Sequence, residues 1–131
     1  MGMDLTVTFG GDVPAWQAVH DLLVGRGFPV QVRMIDGELA FPHEQPPEGW
    51  RELRVAGPAG SMVTVRREPG RVVLVVWGNA DAASRQAWHA LAWAFAEAGG
   101  GVVQTSLGPA SAADFHRTME VPDALRPESS E

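Results

Sequence analysis

The residues best suited to acid–base or metal chemistry are four histidines, His20, His43, His89 and His116. A helical metal site needs two of them one turn apart on one face, or an H-E-x-x-H pattern, and neither occurs. His20 precedes Asp21, but helical neighbours point about 100° apart, a poor geometry for a shared ligand or proton. The aspartates are scattered, without the D-x-D-x-D-G spacing of a calcium loop. Cysteine is absent, which excludes thiolate nucleophiles, Cys-ligated zinc and disulfides. Ser61 follows Gly60, yet no serine lies in a G-x-S-x-G elbow. These side chains are therefore read as surface, core-edge or turn residues. No catalytic residue, metal ligand or cofactor is expected.

Gly10-Gly11-Asp12 would join a strand to a helix, where main-chain amides attract phosphate. The glycine spacing of a nucleotide-binding loop is missing and Asp12 would repel an anion, so an ordinary turn is the reading. Arg51, Arg54, Arg66, Arg67 and Arg71 could form a small basic face on adjacent strands. Glu52 and Glu68 interleave with them, and cross-strand ion pairs are the simpler account.

Trp93 carries the sharpest signal. A helix over residues 81–98 places Ser84, Trp88, Leu91, Phe95 and Ala98 on one stripe. Trp93 projects away from that stripe, among Gln86, His89, Ala90 and Glu97. Tryptophan is enriched in interface hot spots, so Gln86, His89, Trp93 and Glu97 form the candidate interaction surface. The alternative is that another part of the chain covers Trp93.

The positioning elements follow from periodicity. Leu5, Val7 and Phe9 alternate with Thr6 and Thr8 as in a half-buried strand. Asp12 is expected to cap a helix over 13–25 with Pro14 in its first turn. Asp36-Gly37 predicts a tight hairpin pairing Met34 with Leu39 and Val32 with Phe41 on one face. Further strands are expected around Leu53–Val55, Met62–Glu68, Arg71–Trp77 and Val102–Leu107. Val72–Trp77 is apolar on both faces and reads as a central strand covered on both sides. Ser111-Ala112-Ala113-Asp114 resembles a capping box for a short helix over 112–119.

These elements predict one α+β domain over 1–119. Its mostly antiparallel sheet has five to seven strands, with two main helices on one face, ferredoxin-like with an added hairpin. Trp16, Trp88, Leu91 and Phe95 are its expected core. Residues 120–131 carry four acids and one arginine and read as a disordered acidic tail.

The chain has 131 residues, a formal charge of −6, and arginine as its sole cation besides histidine. The lack of lysine suggests a high-GC bacterial genome. Net negative charge argues against nucleic-acid binding. No apolar run is long enough for a membrane span and no signal peptide is visible, so a cytoplasmic protein is expected. The first functional expectation is a non-catalytic binding or protein-interaction module. Its partner is another protein, as for an immunity protein or antitoxin, or a second copy of the chain in a homodimer. The alternative is a small-molecule module with a tryptophan-lined pocket between sheet and helices. An enzyme without a recognisable motif ranks third.

Overall fold

The computed structural model describes residues 2–41, 44–77, 81–105 and 108–118. The expectation for the acidic tail lies outside these residues, as does His43. The strands are β1 (Gly2–Thr8), β2 (Gln31–Ile35), β3 (Glu38–Leu39), β4 (Glu52–Ala56), β5 (Met62–Glu68), β6 (Arg71–Trp77), β7 (Val102–Thr105) and β8 (Gly108–Ser111). The helices are α1 (Trp16–Gly25), α2 (Ala82–Gly99) and α3 (Ala112–Thr118), with one 3₁₀ turn at Pro58–Gly60. All strands join one sheet in the order β3-β2-β4-β5-β6-β1-β7-β8, and every adjacent pair is antiparallel. The fold is α+β with an antiparallel sheet of eight strands, slightly more than expected.

The connectivity explains why the helices share a face. Counting antiparallel steps makes β1 parallel to β2, and β6 parallel to β7. The crossover through α1 moves one way across the sheet from β1. The crossover through α2 moves the opposite way from β6, which runs antiparallel to β1. Crossovers of one hand then fall on the same side, and parallel crossovers are nearly all of one hand. The strands β7-β1-β6-β5 reproduce the ferredoxin-like core order. The insertion after α1, however, is the three strands β2–β4 rather than a hairpin alone.

The core lies between this face and the helices. Leu5 and Val7 of β1 stand opposite Leu74 and Val72 of β6. Val65 of β5 faces Leu74, Leu53 of β4 faces Val65, and all are buried. Trp16 and Phe95 tie α1 to α2, with ring centroids 6.2 Å apart. Trp88 is buried and donates its indole N–H to the Leu74 carbonyl at 2.9 Å. Gly101 lets the connection from α2 to β7 pass close to the end of β1, because an added Cβ would lie 2.5 Å from the Thr8 carbonyl oxygen.

Helix α2 begins at Ala82, where the Asp81 carboxylate caps it by accepting the Ser84 N–H at 2.8 Å. It ends at Gly100, in the left-handed conformation that favours glycine. Helix α3 is capped by Ser111, whose hydroxyl accepts the Asp114 N–H at 3.2 Å.

Helix α1 departs from expectation. It begins at Trp16 behind an extended Ala15, and Asp12 makes no cap. Val13 precedes Pro14 and is biased against helix, which delays the start. The hairpin departs too. Asp36 and Gly37 take positive φ, and Met34 pairs with Leu39. The ladder register shifts between Val32 and Met34, so Val32 pairs with Val55 on the covered face while Met34 pairs with Arg54 on the other. The bulge turns Val32 and Met34, two residues apart and expected on one face, to opposite faces, and Phe41 stays exposed rather than pairing with Val32.

Candidate functional site

The expected interaction surface on α2 does not form around Trp93, which is 2% exposed. Helix α2 lies between α1, α3 and the sheet, and its residues 87–96 are buried almost all round. The His116 ring of α3 meets Trp93 edge-on at 6.2 Å, and the Arg26 guanidinium beyond α1 sits 5.5 Å from the ring centroid. Intrachain cover therefore replaces a partner surface at this residue. His89 is half-buried, stacked on Trp88 at 5.1 Å and edge-on to Phe115 at 5.8 Å. Gln86 and Glu97 are exposed near opposite ends of α2. A helical projection identified the direction of Trp93 but carried no information on α3 lying there.

The other sequence candidates have local roles. His20 Nδ1 lies 3.1 Å from Asp21 Oδ1 despite their adjacency in sequence. That bond, with a second from Gln17, holds the Asp21 carboxyl below its ordinary value. Ser61 is buried and donates its hydroxyl to the Pro58 carbonyl at 2.8 Å, closing the 3₁₀ turn. Among the described residues, no three His, Asp or Glu side chains gather as a metal site requires. No described helix is long and apolar enough to cross a membrane.

A cleft of about 590 Å³ opens at one end of the sheet, rather than between sheet and helices. The start of α1, the loop before β4 and the β5–β6 turn enclose it. Trp16 and Trp50 lie in its wall, and the Arg67 guanidinium stands 4.8 Å from the Trp50 centroid. Asp12 and Glu48 add negative charge at its edge.

Among the described residues, no helix covers the second face of the sheet, and apolar side chains stand exposed on it. Trp77 is 71% exposed and Met62 43% exposed, with Val73 and Val75 half-buried between polar neighbours. At the β2–β3 margin, Leu39 is 83% exposed. Beside it, a groove of about 510 Å³ runs between Met34, Leu39, Arg54 and Met62.

The arginine cluster divides between these sites. Arg66 pairs with Glu52 at 3.2 Å and Arg71 with Glu68 at 2.6 Å, both on the open face. Arg54 has no ion-pair partner among the described residues. The alternation in β6 marked this face as apolar in the sequence, but not that it would stay open.

No protein-family model, curated protein or solved structure matches the chain.

Proposed function

We propose that the chain is a non-catalytic binding protein that engages another polypeptide through the open face of its sheet. The observation that supports this most is Trp77, a large aromatic side chain left 71% exposed at the end of the central strand β6. Along the same face lie Met62, Val75 and Val73, with the paired charges of Glu52 and Arg66 in the row of Val73. An aromatic anchor in an apolar patch with a polar rim is how protein interfaces concentrate their energy. Flat rows of β-branched residues also pack well against a second sheet.

The test is a photo-crosslinking residue placed at position 77 in living cells, with a second at Gln86 on the exposed start of α2. A discrete polypeptide adduct from position 77 and none from position 86 is the expected outcome. Absence of any adduct from position 77 overturns the reading, as does equal labelling at both.

The cleft favours a second reading, small-molecule binding. It has the volume of a ligand pocket, an aromatic wall and a cation, Arg67, stacked on Trp50. A ligand held there raises the melting temperature of the wild type and not of Arg67→Gln. A panel of small anions and amphoteric metabolites giving no such difference removes this reading.

A further inference from the structure

We infer that the occupant of the open face is a second copy of this chain, stacked face to face about a two-fold axis running between β5 and β6. The inference rests on the interaction reading above and names its partner.

The argument starts from register. Arg54 stands opposite Thr64, Thr64 opposite Val75, and Val75 opposite Asp4. One row thus crosses β4, β5, β6 and β1 with a cation at one end and an anion at the other. Asp4 and Arg54 are exposed and lack ion-pair partners among the described residues. Three strand spacings of about 4.8 Å separate them by roughly 14 Å.

A two-fold axis parallel to the strands and midway between β5 and β6 exchanges the two ends of every row. Arg54 then lies over Asp4 of the copy, and Asp4 over its Arg54. The same operation sets Trp77 over Met62 of the copy, a favourable sulfur–aromatic contact made twice. Ala56 meets Gly2, which permits close approach at that corner. Val73 meets the aliphatic stem of Arg66, which Glu52 already holds by its head group.

Charge balance points to a copy rather than to a basic partner. On β4, β5, β6 and β1 the open face carries Arg54, Arg66 and Arg71 against Asp4, Glu52 and Glu68. It is neutral, while the whole chain has a formal charge of −6. A basic protein would gain nothing from this face in particular, whereas two acidic copies repel least when they meet here. The six central strands β2, β4, β5, β6, β1 and β7, four to seven residues long and about 4.8 Å apart, together span roughly 570 Å² of flat area before side-chain relief. That approaches the roughly 800 Å² per partner of a standard interface.

Sedimentation equilibrium of the full chain tests the inference, with circular dichroism confirming that each variant folds. The wild type is expected to dimerise and Trp77→Glu to be monomeric. Asp4→Arg and Arg54→Asp each set like charges together twice, and each weakens self-association by at least about tenfold. Mixing these two single variants restores a dimer, because the mixed pair then places opposite charges at both contacts. A wild type that stays monomeric near 0.5 mM, about the weakest specific dimer worth the name, overturns the inference. So does a dimer indifferent to all three substitutions, or a mixture no tighter than its components. A monomeric wild type whose position 77 crosslinks to a different protein overturns the homodimer and leaves the interaction reading standing.

Discussion

Strand β6 presents nearly equal apolar content to its two faces, yet the two faces have different fates. Val72, Leu74 and Val76 are buried beneath the helices. Val73 and Val75 are half-buried, and Trp77 is largely exposed. The difference comes from connectivity, since two crossovers of one hand bring α1 and α2 to one side, and α3 joins them there. Apolar composition states how many faces of a strand seek cover. Topology decides how many receive it within the chain.

The largest expected effects break this comparison from the covered side. Leu74→Ala removes a fully buried side chain beneath the helix layer and should cost about 2–5 kcal/mol in urea unfolding. Val75→Ala, one residue away on the other face, should cost less than about 1 kcal/mol when measured on dilute monomer. Equal losses would mean that the open face is covered within the chain.

Next comes Trp93→Ala, expected to cost about 3–5 kcal/mol because the ring fills the space between α2, α3 and Arg26. A loss below about 1 kcal/mol would return Trp93 to the surface and revive the α2 interaction face. Trp77→Glu sharpens the comparison from the other side. It should leave the folded monomer within about 0.5 kcal/mol of wild type while abolishing association. A variant that fails to fold would show that Trp77 is a structural residue.

Much of the architecture was legible in the sequence because local chemistry fixed it. Asp36-Gly37 demanded a tight turn, Ser111 supplied a helix cap, and Met62–Glu68 and Arg71–Trp77 read as strands. What was not legible depended on contacts distant in sequence. The Val32–Met34 bulge follows from pairing with β4, not from the hairpin itself. Strand β8, Gly108-Pro109-Ala110-Ser111, has little strand propensity and is held by its ladder to β7. The candidate site divided the same way. The two-sided apolar pattern of β6 was readable, but the position of α3 over Trp93, and its absence over Trp77, was not.

The smallest effect concerns Asp36, at the tip of the β2–β3 turn. Its Oδ1 accepts the N–H groups of Arg51 at 2.7 Å and Glu52 at 2.9 Å, while its own N–H donates to the Glu52 carbonyl at 2.8 Å. The carboxylate thereby ties the turn to the start of β4, where the cleft loop rejoins the sheet. The bonds from Glu52, then Arg51, favour the charged form and hold the pKa below its ordinary value of 3.8. A lowered folded pKa gives stability that is complete above that value and is lost as pH falls through the folded one. Asp36→Asn keeps an acceptor but not the charge, so it should cost about 1 kcal/mol or less at neutral pH, given solvent screening. The gap between wild type and variant should stay constant above about pH 5 and shrink towards pH 2 in acid-titrated urea melts. A gap that does not change across that interval would show that the turn is held by its backbone geometry alone, with the carboxylate contributing nothing specific to its charge.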